Sequence, residues 1–282
     1  MRSLITATIV TTLLATSVGV VAAQSDERPP PSSGCEAPLA APGDYESVND
    51  FDGADQKYFV IVPPSYQDIA PAPVNLLLAS GGGDADWYFT GARPYFDDEP
   101  MLIAIVGTVT SKQRAPATLL ALIDQLTVDY CIDLRRVHVE GGSSSGYAAA
   151  QLACEGSDRI ASLFDGWGGF SAGACEPARP VPLLALTGDP DRSMVTASVE
   201  RWAEMNGCDP EPVVEDLGSG IARKSYQGCE ADVLFYDIEG LGHKLVMHEC
   251  VGPYAQQYCE TYEELDQIDE GQRFFAEHPL PE

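Results

Sequence analysis

The chain has 282 residues, of which 45% are hydrophobic and 21% are charged. This length and composition predict a folded domain with a sizeable core and exclude a disordered protein. The formal net charge of -27, from 43 acidic and 16 basic residues, repels phosphate backbones and anionic lipids, so nucleic acid is not an expected partner.

The N-terminus has the features of an export signal. Arg2 precedes an apolar stretch that ends in the small residues Val21-Ala22-Ala23, a pattern suited to signal-peptidase cleavage. We therefore predict a signal peptide over residues 1–23 and secretion to the extracellular space or periplasm, with no membrane contact after cleavage. Proline and serine in residues 24–45 predict an extended linker, and residues 46–282 are expected to form one catalytic domain.

The cysteine content agrees with export. Eight cysteines are an even set, which in an oxidising compartment predicts disulfides. There is no Cys-x-x-Cys pair and the four histidines lack ligand spacing, so we expect no metal site. The residues alone leave the pairing open, because eight cysteines allow 105 connectivities.

Short apolar runs alternate with helical patterns, which predicts a mostly parallel sheet covered by helices on both faces, an α/β fold. The predicted strands are Lys57–Val62 near the sheet edge, Val74–Ala79, Met101–Val106, Arg136–Glu140, Ala161–Phe164, Leu183–Thr187 and Val233–Ile238. The predicted helices are Pro116–Tyr130, Ala148–Cys154, Thr196–Met205 and Gln256–Phe275.

A serine-rich turn lies between a predicted strand and a predicted helix. Ser144 is flanked by Gly142 and Gly146, which is the Gly-x-Ser-x-Gly elbow of α/β-hydrolases, where glycines let the strand and helix approach closely. The amide end of the following helix faces the developing oxyanion. We predict Ser144 as the nucleophile and the Ser145 amide as one oxyanion donor.

A serine nucleophile needs a general base, which in this architecture follows it in the order Ser, acid, His. His243 follows the last predicted strand on a glycine-rich loop, where the base belongs. His248 is the alternative, whereas His138 precedes the serine and is expected to be a packed side chain.

Three further features complete the predicted site. The loop after Leu183–Thr187 holds Asp189 and Asp191, and either carboxylate could orient the imidazole. In the glycine loop after Val74–Ala79, we predict Gly82 as the second oxyanion donor; a phosphate-binding lysine is missing there. The aromatic residues predicted to contact substrate are Trp87, Tyr88 and Trp167.

Together these residues resemble the secreted polyhydroxybutyrate-depolymerase and feruloyl-esterase-like family of α/β-hydrolases, which is related to bacterial acetylxylan esterases. The similarity rests on Val60-Ile-Val-Pro, on Leu78-Ala-Ser-Gly-Gly-Gly and on the segment from Cys131 to Gly146. It covers most of the chain after the signal peptide.

The resemblance implies that Asp191 is the triad acid and that Cys208 pairs with Cys229. Two departures are visible: Ser80 stands where the family has histidine, and Leu245 stands where it has tryptophan. These departures leave the substrate open, since neither position carries out proton transfer.

The sequence therefore predicts a secreted serine esterase that needs no cofactor, is a monomer and acts on an ester substrate that can be polymeric. The expected esters are feruloyl or acetyl groups on plant polysaccharide, or short polyhydroxyalkanoate oligomers. One alternative is a secreted serine peptidase of the same fold, which would normally need an added domain or charged pocket. The other is a non-catalytic binding module, whose mark would be a broken triad.

Overall fold

The computed structural model describes residues 31–51, 53–96, 99–168 and 175–281. The predicted signal peptide lies outside these ranges. The strands are β1 Gly43–Phe51, β2 Ala54–Val62, β3 Ala72–Leu78, β4 Leu102–Val106, β5 Ile132–Gly141, β6 Leu163–Asp165, β7 Leu183–Thr187, β8 Val213–Gly218, β9 Ile221–Ser225, β10 Val233–Ile238, β11 Leu245–Met247 and β12 Cys259–Thr261. The helices are α1 Tyr66–Ile69, α2 Ala85–Ala92, α3 Pro116–Asp129, α4 Gly146–Glu155, α5 Arg192–Met205, α6 Ala255–Tyr258 and α7 Gln267–Glu277. Short 3-10 helices cover Ser33–Glu36, Arg93–Tyr95 and Ser143–Ser145.

The centre of the molecule is a ten-stranded sheet in the order β1-β2-β4-β3-β5-β6-β7-β10-β9-β8. Neighbouring strands from β4 to β10 in this order pair in parallel, and the outer strands pair antiparallel. All residues of β4 and β7 are buried, as expected for parallel strands with both faces covered. The predicted α/β fold is confirmed.

Helices cover both faces of this sheet. Because side chains alternate along a strand, Leu76 packs into one buried cluster and Leu77 into the other. The first cluster contains residues of α3, α4 and α5, such as Trp202, and the second contains residues of α2 and α7, such as Phe275. The carboxyl ends of the parallel strands therefore open at one edge between two helical layers.

The sequence missed the outer strands, because β1 and β8 alternate only weakly between exposed and half-buried positions. The prediction of one helix over Gln256–Phe275 is wrong. That segment contains α6, β12 and α7, and α7 starts anew at Asp266, whose side chain accepts hydrogen bonds from the amides of Ile268 and Asp269. An aspartate cap of this kind separates two elements that share an apolar pattern.

All eight cysteines are paired, which confirms the predicted disulfides and the Cys208–Cys229 bridge. The four bridges are Cys35–Cys131, Cys154–Cys175, Cys208–Cys229 and Cys250–Cys259.

The described part of the predicted linker differs from an extended chain. Residues 31–45 include the 3-10 helix Ser33–Glu36, the Cys35–Cys131 bridge and the start of β1. Ser32 Oγ also donates a 2.8 Å hydrogen bond to the Tyr130 carbonyl. The folded unit therefore begins before residue 46, because specific contacts override the proline-rich composition. Within the described residues, no helix combines the length and apolarity needed to cross a membrane.

Candidate active site

A tight turn between β5 and α4 presents the serines. Ser143 has φ of 49°, in the left-handed region that non-glycine residues adopt only in tight turns and at strained sites such as a nucleophile elbow. Ser143 lines a pocket of about 850 Å³, measured with its open mouth. Ser144 is exposed and is not among the residues that line this pocket. The structure therefore places Ser143 in the pocket lining and the predicted Ser144 outside it, and the choice of nucleophile stays a prediction.

The close approach of strand and helix favours Ser143 over Ser144 as the residue at the elbow. A Cβ atom on Gly141 would lie 2.8 Å from the Cβ of Ala149 in α4 and 2.9 Å from the Ser145 carbonyl oxygen. Gly141 lies two residues before Ser143, where the elbow needs glycine. Two residues after Ser143, the usual glycine is replaced by Ser145, which is fully buried and donates from Oγ to the Leu78 carbonyl at 2.8 Å.

The residues that could supply the oxyanion donors differ for Ser143 and for Ser144. The amide of Ser145, one predicted oxyanion donor, already donates to the Gly142 carbonyl at 3.0 Å. The amide of Ser144 follows Ser143 inside the first turn of the 3-10 helix, where amides have no partner within the turn. From the glycine loop, Ser80 and Gly81 line the pocket, whereas the predicted Gly82 is exposed and does not line it.

The structure brings together the predicted base and acid. Nδ1 of His243 donates to Oδ2 of Asp191 at 2.5 Å, which leaves Nε2 as the acceptor, and His243 lines the same pocket as Ser143. The two loops are held together by a hydrogen bond from the Asp189 amide to the Leu241 carbonyl at 2.9 Å. This close approach needs glycine at position 188, because a Cβ atom there would collide with the same carbonyl.

The other candidates have different partners. The Asp189 carboxylate accepts from the Gly240 amide at 3.1 Å and pairs with Arg192 at 2.8 Å, so it braces the loops and does not contact the imidazole. His248 faces Asp266 at 3.9 Å. In the part of the chain described, His248, Asp266 and Asp269 form a group whose ligand atoms lie within 4.8 Å of one another, with His248 and Asp269 exposed.

His138 is a packed side chain, as expected. It is fully buried, stacks on Phe275 at 4.6 Å between ring centroids, and hydrogen-bonds Ser162 through Nδ1 at 2.9 Å. Burial lowers its pKa to about 3, followed in effect by the charge of Arg136.

Aromatic side chains form the walls of the pocket. The predicted residues Trp87, Tyr88 and Trp167 all line it, and the rings of Tyr88 and Trp167 stack at 6.3 Å between centroids. The sequence missed Tyr254 and Tyr258. Tyr254 stacks on Trp87 at 4.8 Å, and the Tyr258 ring meets Trp87 edge-on at 5.6 Å.

These tyrosines belong to residues 250–259, a segment closed at its ends by the Cys250–Cys259 disulfide, which we call the tyrosine loop. The Tyr95 hydroxyl fastens this loop by donating to the Val251 carbonyl at 2.8 Å. A Cβ on Gly91 of α2 would lie 2.5 Å from the Tyr254 ring. The loop thus packs directly on α2, a contact for which the sequence contains no local signal.

Two buried polar side chains line the pocket. Glu140 and Gln267 line it and are 6% and 2% exposed. Burial raises the pKa of Glu140 to about 7, partly offset by a 2.7 Å hydrogen bond from Asn75. Burial, then the charges of Asp191 and Glu140, raise the pKa of the neighbouring Asp165 carboxyl well above its usual value.

Comparison with known proteins gives the class of fold. The structure is similar to an acetyl xylan esterase from Aspergillus awamori, with a TM-score of 0.54, 13% identity and coverage of 83% of this chain and 99% of that one. It is also similar to a thermostable esterase, with a TM-score of 0.54, 15% identity and coverage of 84% and 63%. A feruloyl esterase module from Clostridium thermocellum, solved with sinapinate, has a TM-score of 0.50, 13% identity and coverage of 77% and 87%. The fold is that of the α/β-hydrolases.

In sequence, the chain is 29% identical over 147 residues to feruloyl esterase B of Piromyces equi. That match covers 43% of this chain and 27% of the relative, so it spans about a quarter of the relative's length. No protein-family model matches the chain. The predicted resemblance to feruloyl and acetylxylan esterases is confirmed, while the likeness to polyhydroxybutyrate depolymerases stays a prediction.

Proposed function

We propose that this protein is a secreted carboxylic ester hydrolase in which Ser143 is the nucleophile, His243 the general base and Asp191 the acid that orients it. The observation that carries this proposal is the 2.5 Å Asp191–His243 hydrogen bond beside a serine with φ of 49° in the same pocket. The low-identity structural likenesses support the fold, and the partial feruloyl esterase match supports the reaction class.

The first half of the reaction is acyl transfer to the enzyme. Nε2 of His243 removes the proton of the Ser143 hydroxyl while Oγ attacks the ester carbonyl carbon. The negative charge on the carbonyl oxygen is stabilised by the amide of Ser144 and by an amide of the glycine loop at Gly81. The imidazolium then protonates the leaving alcohol, and the C–O bond to that alcohol breaks.

The second half reverses these roles. His243 removes a proton from water, the resulting hydroxide attacks the acyl carbon, and Ser143 leaves with the proton returned by the imidazolium. The half-buried carboxylate of Asp191 accepts from Nδ1 and keeps it protonated, so that Nε2 is the nitrogen that exchanges protons with the serine.

We propose aryl esters, of the feruloyl kind, as the main substrates. The aromatic walls of the pocket offer stacking surfaces to a planar acyl group, which a short acetyl group would leave largely unused. Ser80 and Leu245, the two departures from the family pattern, both line the pocket, so they act on the choice of acyl group.

The assignment is tested with Ser143→Ala and Ser144→Ala as a matched pair. Hydrolysis of p-nitrophenyl acetate and methyl ferulate should fall roughly 10⁶-fold in Ser143→Ala. Ser144→Ala removes an exposed hydroxyl but keeps the backbone amide, so its kcat should stay within about tenfold of wild type.

The opposite result, with Ser144→Ala inactive and Ser143→Ala active, would identify Ser144 as the nucleophile. A wild-type protein that is folded yet hydrolyses neither ester, even slowly, would support the binding-module alternative. Hydrolysis of casein that is lost in Ser143→Ala would support the peptidase.

Export is part of the same proposal. The N-terminal pattern of residues 1–23 motivates it, and four disulfides fit an oxidising compartment. Intact-mass measurement of the protein from a secreting host should give a chain that begins at Gln24. A full-length chain retained inside the cells would contradict it.

A further inference from the structure

Residues 239–243, which we call the histidine loop, follow β10 and depend on hydrogen bonds for their position. The loop contains Gly240 and Gly242, and a Cβ atom on either would have no described atom within 4 Å. The side chain of His243 is 41% exposed, although Leu241 beside it is buried. Because glycines leave the backbone free to adopt many conformations, the position of the imidazole needs bonds between this loop and its neighbours.

The side chain of Arg192 makes several of these bonds. Arg192 directly follows Asp191 and is the first residue of α5. Its Nε donates to Oδ1 of Asp237 at 2.6 Å, and its Nη2 donates to the Ile238 carbonyl at 3.2 Å. Nη2 also lies 2.8 Å from Oδ1 of Asp189. One guanidinium group thus joins the end of β10, where the histidine loop begins, to the loop that contains the acid.

The Asp189 carboxylate extends this connection into the histidine loop itself. It accepts from the Gly240 amide at 3.1 Å while it pairs with Arg192. A guanidinium group is a planar fork of five donors, so it can bond two carboxylates and a carbonyl in one fixed geometry. The single ammonium group of a lysine could not reproduce that geometry.

The exposure of these groups indicates which contact matters most. The side chain of Asp237 is 15% exposed, against 50% for Asp189. Exposed ion pairs contribute little, so the Arg192–Asp237 pair is the stronger of the two. Lys224 also pairs with Asp237 at 2.8 Å. Removal of Arg192 therefore leaves Asp237 with a cation, and the fold should persist.

We propose that Arg192 is a positioning residue, a role that rests on the proposed function of Asp191 and His243. Its guanidinium group fixes the acid loop against the histidine loop, so that Oδ2 of Asp191 and Nδ1 of His243 stay in contact and Nε2 faces the nucleophile. Arg192 is not among the residues that line the pocket. Its effect therefore falls on proton transfer and not on substrate binding.

Proton NMR of the protein without substrate tests this positioning directly. A proton on Nδ1 held in a short bond to a carboxylate should give a separate low-field resonance, which Asp191→Asn assigns by abolishing it. In Arg192→Ala this resonance should broaden or disappear near neutral pH, because the proton then exchanges with water. Arg201→Ala is the matched control on the same helix, since Arg201 pairs only with exposed Glu204 among the described ion pairs, and it should keep the resonance.

Kinetics separates positioning from a general effect on the fold. Arg192→Ala should lower kcat for p-nitrophenyl acetate and methyl ferulate roughly tenfold to a hundredfold, with both KM values within about twofold of wild type. In an Asp191→Asn background the same substitution should cost less than about threefold, because the bond that Arg192 positions is already lost. Arg201→Ala should leave kcat unchanged in both backgrounds.

An unchanged low-field resonance in Arg192→Ala, or a kcat within about twofold of wild type, would overturn the inference. An equal loss of kcat in the wild-type and Asp191→Asn backgrounds would do the same, because Arg192 would then act independently of the acid. The NMR measurement needs no turnover. A folded protein with an Arg192-dependent resonance that hydrolyses neither ester would therefore contradict the proposed function and leave the positioning by Arg192 intact.

Discussion

The buried carboxyl of Glu140 should make the protein less stable as the pH rises, and Glu140→Gln should remove this loss. In the folded protein the pKa is about 7, against an ordinary value of 4.5, because burial disfavours the charged form. Below about pH 4.5 the group is protonated in both states and contributes no pH-dependent term. Between the two pKa values only the unfolded chain releases the proton, so folding becomes less favourable as the pH rises.

The size of the effect follows from the pKa change. A tenfold change in an ionisation constant is worth about 1.4 kcal/mol, so raising this pKa from 4.5 to about 7 corresponds to about 3 kcal/mol of lost stability at and above neutral pH. Glutamine has nearly the same shape and can still accept the Asn75 hydrogen bond. The variant should therefore gain stability over wild type progressively between about pH 4.5 and 7, and by about 3 kcal/mol above that.

The difference between the two proteins must be used, because His138 acts in the opposite direction. Its pKa is lowered to about 3 in the folded state, so its contribution to stability is lost as the pH falls from about 6.5 toward 3. This term is present in both proteins and cancels. Urea unfolding at several pH values, with Glu155→Gln as the surface control, measures the difference. A Glu140→Gln difference that stays constant from about pH 4 to 8 would refute the reasoning.

Three other predictions concern the reacting loops and the pocket wall. Asp191→Asn should lower kcat for p-nitrophenyl acetate about 10⁴-fold because the imidazole loses its orienting carboxylate, whereas Asp189→Asn should lower it far less; equal losses would contradict the triad. Ser145→Ala leaves a buried carbonyl at the end of β3 without its donor, so urea unfolding should show a loss of about 1–3 kcal/mol, and an unaltered midpoint would argue against that role. Cys250→Ser combined with Cys259→Ser releases a short loop worth about 2–3 kcal/mol in the chain-entropy model and should raise KM for methyl ferulate more than for p-nitrophenyl acetate. A parallel rise for both esters would show that the loop does not form the aryl wall.

The parts of this fold that the sequence could predict are those with a local signal. Central strands such as Leu183–Thr187 are unbroken apolar runs because both faces are covered, and the predicted bounds of this strand are confirmed. The order of elements indicates the glycine-containing loops that hold His243 and Asp191, whereas the choice of Asp191 over Asp189 rests on the family resemblance. Outer strands such as β8, with mostly exposed residues, have no comparable pattern.

The sequence alone does not separate Ser144 from Ser143 as nucleophile, because the turn contains two overlapping motifs. Gly142 and Gly146 complete the pattern around Ser144, while around Ser143 the first glycine is Gly141 and the second is replaced by Ser145. Only the three-dimensional structure reveals that Ser145 is buried and bonded to β3. A spacing rule that requires glycine at this position cannot anticipate a buried serine in its place.

The sequence gives no sign of the buried polar pair Glu140 and Gln267, for another reason. Glu140 and Gln267 are more than a hundred residues apart, and Gln267 fell inside a segment predicted as the middle of one helix. The Asp266 cap starts α7 there and turns Gln267 toward the pocket. A contact of this kind depends on tertiary packing, which a single sequence does not encode in any local pattern.

The Cys250–Cys259 bridge closes the tyrosine loop. The pocket wall is therefore complete only after this disulfide has formed during maturation of the protein. Tyr254 and Tyr258 are held against Trp87 by a loop whose two ends are joined by sulfur. The Asp191–His243 pair is held instead by backbone contacts at Gly188 and Leu241. Newly made chains with reduced thiols would thus possess their proton-transfer groups before their aryl-binding surface, and affinity for an aryl acid would report how far oxidation has proceeded.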